Sequence, residues 1–118
     1  MVQQNKNKLG VKGEAQAVSF LLKNKYKILA QNFKYKKFEI DIIALDQTKN
    51  ELVFIEVKTR SSFIYGDPAL AVSSKQMMNL QAASQVYLTQ NKLEKNFRFD
   101  IITILPNQLK HFKNVTVE

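Results

Sequence analysis

Apolar residues recur at two periods along this chain, and the period changes wherever turn residues intervene. From about Lys8 to Asn24, Val11, Ala15, Val18, Leu21 and Leu22 recur at helical spacing and predict a first helix. Tyr26 to Phe33 reads as a strand, Lys34 to Lys37 as a turn, and Phe38 to Leu45 as a second strand. The polar run DQTKN, Asp46 to Asn50, turns the chain into a third strand, Leu52 to Lys58. Ser61 to Ala71 reads as a loop carrying Gly66, Asp67 and Pro68. Helical spacing returns from about Ser74 to Asn91, with Met77, Leu80, Ala83, Val86 and Tyr87 on the buried side. Ser73 and Gln76, three residues apart, form a capping box at its start. Phe97 to Leu105 predicts a fourth strand, Pro106 and Asn107 a turn, and Leu109 to Val115 a fifth strand.

The order α-β-β-β-α-β-β predicts an α/β fold, a mixed central sheet flanked by helices. The short DQTKN turn makes the second and third strands an antiparallel pair. The helix after the third strand is long enough to cross over and join parallel neighbours. A length of 118 residues, 45% of them hydrophobic and only two prolines, fits one folded domain over residues 1–118. There is no cysteine, hence no disulfide and no thiolate metal site, which agrees with a reducing compartment. No apolar run approaches the ~18 residues of a membrane span. The opening MVQQNKNKLG lacks the apolar segment of a signal peptide, so the expectation is a cytoplasmic protein.

Charge narrows the partner. The net charge is +8, and residues 1–37 carry all of it, with nine lysines against the single acid Glu14. The rest of the chain balances nine basic against nine acidic residues. Sixteen lysines to two arginines supply point charges, which suit a phosphate backbone better than base edges. Lys12, Lys34, Lys36 and Lys37 in the basic third, with Arg60 and Lys75 beyond it, are the candidate nucleic-acid contacts. Lys75 falls in the first turn of the second helix, where the backbone already carries partial positive charge. It is either a solvated lysine or a residue that meets an anion there. No basic amphipathic segment stands apart from the fold to suit a membrane surface.

Three polar residues interrupt the apolar strands. In VFIEVK, Val53, Ile55 and Val57 point one way and Phe54, Glu56 and Lys58 the other. Glu56 and Lys58 are thus separated by roughly 6.6 Å along one face. On the preceding strand Glu39, Asp41 and Ile43 share a face, and Asp41 comes beside Glu56 if the register agrees. Two carboxylates so placed repel unless a cation bridges them. Hard oxygens in a partly solvated site suit Mg²⁺, which polarises phosphoryl oxygens and activates water. Lys58 could then orient that water or stabilise charge on the phosphate. The plainer alternative is an exposed Glu56–Lys58 ion pair, which contributes little. Glu14 falls on the stripe Val11, Glu14, Val18, Leu21 of the first helix, as a functional acid or a stripe-edge residue with its carboxylate in water. Its neighbours Gly10 and Gly13 imply close approach of backbone to the sheet or to a phosphate. His111, the only histidine, reads as structural, and Asp100 as an ion-pair partner or cap. No P-loop or dinucleotide glycine pattern is present.

Taken jointly, these stretches resemble the YraN-like family. The resemblance runs from Gly10-Val-Lys-Gly13-Glu14-Ala-Gln-Ala17 through Tyr26-Lys-Ile-Leu and Asn32-Phe33. It is strongest at Glu39-Ile-Asp41-Ile-Ile-Ala44 and Val53-Phe-Ile-Glu56-Val-Lys58-Thr-Arg60, and resumes at Lys75, Leu80, Ala82-Ala83, Tyr87-Leu88 and Arg98-Phe-Asp100. It implies a PD-(D/E)XK, restriction-endonuclease-like core similar to archaeal Holliday junction resolvases. It further implies a nuclease dependent on Mg²⁺ or Mn²⁺ and acting on DNA, with branched or recombination intermediates as candidate substrates. Carried over by position, Asp41 matches the first metal-binding acid, Glu56 and Lys58 match the (D/E)XK pair, and Glu14 matches the glutamate of the first helix. Ile40 stands before Asp41 where the motif's name has proline, as is usual in this family, and Phe38 stands where the family often has glycine. The fold also hosts inactive nucleic-acid-binding modules, the alternative expectation. Junction resolvases of this fold work as dimers because two strands must be cut, so a homodimer is the expected self-association.

Overall fold

The computed structural model describes residues 2–60 and 73–115. Helix α1 (Val2–Lys23) leads into strands β1 (Tyr26–Tyr35), β2 (Phe38–Asp46) and β3 (Glu51–Thr59). Helix α2 (Ser74–Gln90) and strands β4 (Phe97–Ile104) and β5 (Leu109–Phe112) complete the order α-β-β-β-α-β-β. The sheet runs β1-β2-β3-β4-β5, parallel only between β3 and β4 and antiparallel elsewhere. The mixed sheet and the crossover through α2 match expectation; the predicted loop Ser61 to Ala71 lies outside the described residues.

Each face of the sheet buries one helix. Ala17 and Leu21 of α1 pack on Ile42, Ala44, Val53, Ile55, Ile102 and Ile104. Leu80, Ala83, Tyr87 and Leu88 of α2 pack on Ile40, Ile43, Leu52 and Phe54. β3 lies between the layers, and Leu52 to Ile55 are all at most 1% exposed. The capping box forms as the sequence predicts: Gln76 N donates to Ser73 Oγ and Ser73 N to Gln76 Oε1, both at 3.1 Å.

Several boundaries and faces differ from expectation. α1 starts at Val2 rather than Lys8. Its buried side is Gly13, Ala17 and Leu21, whereas Ala15 and Leu22 are exposed. The cause is Gly13: α1 lies so close to β3 that a Cβ there would collide with Thr59 Oγ1. Gly10, by contrast, has open space around it. Lys34 belongs to β1, and only Lys36 and Lys37 form the turn. β5 stops at Phe112, because the chain bends at Asn114 (φ 55°) and Val115 N donates to Phe99 O at 2.7 Å.

One end of the sheet is closed by a buried charge network around Arg98. Its guanidinium Nη1 meets Asp46 Oδ2 at 3.0 Å and Glu51 Oε1 at 2.7 Å. Its Nε meets Asp100 Oδ1 at 3.0 Å, and its Nη2 donates to Tyr26 Oη at 2.8 Å. His111 Nε2 and the Asn114 amide complete the shell of Asp100 at 2.7 and 2.9 Å. Burial opposes ionisation of Asp46, but hydrogen bonds from Thr48 and Arg98 hold its carboxyl down to about 2. Asp100 is lowered in the same way, burial being outweighed by bonds from His111, Arg98 and Asn114. Asp100 is an ion-pair partner, as expected, with Arg98 as its cation, and Asp46 proves to be a strand-end anchor rather than a plain turn residue.

Candidate active site

The site forms where two ladders fail together. β2 pairs with β3 up to Ile42 opposite Ile55, a register that puts Asp41 opposite Glu56 at the next step. The β1–β2 ladder passes from Gln31↔Ile42 to Phe33↔Ile40, leaving Asn32 and Asp41 between those pairs. Asn32 has φ 53°, a left-handed backbone that asparagine tolerates better than most residues. Side-chain alternation also breaks there: Ile40 packs with Ile43 on the α2 side, while Ile42 packs on the α1 side. The simple alternation expected for Glu39, Asp41 and Ile43 therefore does not hold through Asp41.

Free of a ladder partner, Asp41 turns to β3, where Val57 N donates to its Oδ2 at 2.7 Å. Burial first, and then the charges of Glu14, Glu56 and Glu39, raise the Asp41 carboxyl to about 7 against the pull of that bond. Glu14, half-buried on α1, is raised as well, first by burial and then by Glu39. Glu56 Oε2 is buried and has no hydrogen-bond partner among the described residues. Such an acceptor is costly to leave bare. Lys58 is 7% exposed, and no acid among the described residues pairs with it, so the Glu56–Lys58 ion pair is not formed.

Two contributors escaped the sequence reading. Turning the Asn32 amide so that its nitrogen meets the acids lets it donate to Glu14 Oε1 at 3.0 Å and Glu39 Oε1 at 2.8 Å. The opposite orientation would set its oxygen against two carboxylates. Asn32 thus ties Glu14 to Glu39, and Glu39 joins the group as a fourth acid. Its alternation with Asp41 was the signal that could have marked Glu39; nothing local marks Asn32.

The donor set is hard carboxylate oxygen with one orphaned acceptor, which fits a divalent cation that keeps part of its water shell. Among the described residues no three His, Cys, Asp or Glu side chains are placed so that they could together hold a metal ion. The acids share a field more than a tight ligand sphere. Lys12, Lys34, Lys36, Lys37, Arg60 and Lys75 are all exposed. Lys34 lies opposite Glu39 across the hairpin. Lys36 and Lys37 lie over the rings of Tyr35 and Phe38 at 5.4 and 5.8 Å. Lys75 stands in the first turn of α2, which holds no acid.

This architecture is similar to a solved structure of Hjc, a Holliday junction resolvase from Archaeoglobus fulgidus. The TM-score is 0.56 at 17% identity, over 87% of this chain and 75% of that one. At that identity the likeness establishes the fold, a resolvase-like α/β core. Sequence relatives are much nearer. A UPF0102 protein of Christiangramia forsetii is 43% identical over 102 residues, 86% of this chain and 84% of the relative. A UPF0102 protein of Geobacter metallireducens is 43% identical over 112 residues, 90% and 89% of the two chains. One from Acetivibrio thermocellus is 42% identical over 102 residues, 85% and 77%. The sequence model of uncharacterised protein family UPF0102 matches residues 13–104, a span from the glycine that seats α1 to the end of β4. With its resemblance, its relatives and its fold in agreement, the chain belongs to the UPF0102, YraN-like family.

Proposed function

We propose that this chain is a single-domain, cytoplasmic, metal-dependent nuclease that hydrolyses phosphodiester bonds in DNA. Branched or recombination intermediates are its proposed substrates, and a homodimer is the proposed form for cutting two strands. The observation that carries the reading is Asp41, a half-buried carboxylate raised to about 7 among three other acids and beside an unpartnered Glu56 oxygen. Carboxylates so crowded are stabilised in the charged form by a cation. The resolvase-like fold supports the choice of chemistry by analogy.

In this reading Glu14, Asp41 and Glu56 would hold Mg²⁺ or Mn²⁺, which would supply Lewis acidity toward a phosphoryl oxygen and a hydroxide near neutral pH. Val57 N fixes Asp41 through its Oδ2. Asn32 orients Glu14 by donating to it. Lys58, buried and without an acid partner among the described residues, would orient the attacking water or stabilise the phosphate. Lys12, Lys34, Lys36, Lys37, Arg60 and Lys75 guide the backbone by charge, so binding weakens with salt.

A second reading, a nucleic-acid-binding module without turnover, is favoured because no three acids among the described residues are placed to hold a metal ion together. Cleavage assays on duplex, single-stranded and branched DNA and on RNA, with Mg²⁺ or Mn²⁺, separate the two. The nuclease reading expects metal-dependent cutting by the parent and none by Asp41→Ala. Equal cutting by both proteins, or none by the parent, overturns it.

A further inference from the structure

A cavity of about 380 Å³ opens between α1 and the ends of β3 and β4. Gly13 and Thr59, in contact where α1 descends onto β3, form one wall. Each is the chain neighbour of a proposed catalytic residue, Glu14 and Lys58. Ile104, Leu105 and Pro106 supply an apolar floor. Ile104 and Leu105 are buried, so the core fixes the floor's shape. Lys12 and Arg60 also line the cavity, and both are exposed. Neither pairs with an acid among the described residues; the Arg60 guanidinium donates only to Thr59 O, at 3.0 Å.

We propose that this cavity receives one unpaired nucleotide of a nucleic-acid substrate. The base lies against Ile104, Leu105 and Pro106, and its phosphate lies between Lys12 and Arg60. The inference rests on the reading that this chain handles nucleic acid, and it names the substrate feature that is recognised. An apolar floor with two cations that pair with no acid among the described residues complements a flat ring joined to an anion. The volume falls within the range of small-ligand pockets and is too small for a stacked base pair. A base must leave its stack to enter, and that costs least where it is already unpaired. The cavity therefore favours junctions, bulges, flaps and single strands over continuous duplex. Contact through an apolar surface tolerates any base, so the preference is for structure rather than sequence.

The experiment is a binding study of the full chain without divalent metal. Methyl NMR of Ile104 and Leu105 is followed during titration with thymidine 5′-monophosphate, thymidine and inorganic phosphate. The nucleotide is expected to shift both methyls saturably, and thymidine to do so more weakly. In Lys12→Ala/Arg60→Ala, two exposed positions whose replacement spares the core, nucleotide affinity should fall to that of thymidine. By fluorescence anisotropy, a short duplex with one unpaired thymine should bind about tenfold tighter than the fully paired duplex, the scale of one base-stacking contact. Unmoved methyls, phosphate shifting amides near Lys12 and Arg60 alone, equal affinity for nucleotide and thymidine, or equal affinity for the two duplexes each overturn the proposal. Because nothing is cut in this experiment, a chain without nuclease activity can still pass it. A chain that cuts DNA can fail it, so the two readings fail separately.

Discussion

Replacing Asp41 with asparagine should make this protein more stable while it removes the proposed activity. A carboxyl moved from an ordinary 3.8 to about 7 carries a penalty of about 4 kcal/mol in its charged form. Solvent access at a half-buried position and relaxation of the surrounding acids should leave about half of that, ~2 kcal/mol. Asparagine keeps an oxygen for the Val57 amide and removes the charge that Glu14, Glu39 and Glu56 oppose. For a chain of this length the gain corresponds to a melting temperature raised by about 8 °C at pH 8. The sign with pH follows from linkage. Between 3.8 and about 7 the folded protein binds a proton that the unfolded chain has released. Parent stability therefore falls as pH rises through that window and levels off above it. Asp41→Asn should lack this component, so the two curves converge toward pH 4 and separate toward pH 8. Melting both proteins by circular dichroism across the window measures it. Mn²⁺ at pH 8 should then raise the parent's melting temperature and leave that of Asp41→Asn unchanged, since an ion that binds only the folded state stabilises it. A variant no more stable than the parent at pH 8, or parallel pH curves, would refute the claim that Asp41 is a carboxylate without a counter-charge.

The Arg98 network predicts the opposite behaviour. Arg98→Met strands Asp46 and Asp100 as buried charges and should cost about 3–5 kcal/mol in urea unfolding. Because Asp46 is held near 2 and Asp100 is also lowered, their contribution is present above the ordinary 3.8 and lost as pH falls toward 2. Acid unfolding of the parent should accordingly steepen below pH 4, and Asp46→Asn should blunt it. Gly13→Ala should destabilise by about 1–3 kcal/mol through its clash with Thr59 Oγ1, despite the better helix former. Adding Thr59→Ala removes the clashing atom and should recover most of the loss in a double-mutant cycle. Asn32→Gly keeps the left-handed backbone and deletes the amide, so stability should change by less than about 1 kcal/mol. Mn²⁺ affinity, read by calorimetry, should fall several-fold, and Asn32→Ala should lose stability in addition.

The elements were legible because their cues are local. Periodicity placed the strands, Ser73 and Gln76 announced the cap of α2, and a crossover-length helix announced the parallel pair. Asp41, Glu56 and Lys58 stood out as polar residues in apolar runs, and the structure supplies an electrostatic reason for the first of them. What was not legible depends on distant partners. Arg98 meets Asp46 across 52 residues of sequence, and neither position looks unusual on its own strand. Asn32 adopts its positive φ because of what surrounds it, while its sequence neighbours read as ordinary strand. The buried side of α1 was misread because periodicity counts side chains, and the closest contact is made by a glycine that has none.

The placement of the Arg98 network has a mechanical consequence. Arg98 grips Asp46, five residues after Asp41 on β2, and Glu51, five residues before Glu56 on β3, so its grip is roughly 17 Å from the site along the strands. β2 and β3 are thus clamped at one end and carry mutually repelling acids at the other, like a fork held by its handle. Repulsion at the tips cannot be relieved by sliding the register, because the handle fixes it. It is held as a standing load that only a proton or a cation can discharge. The clamp and the acid cluster therefore occupy opposite halves of the same two strands.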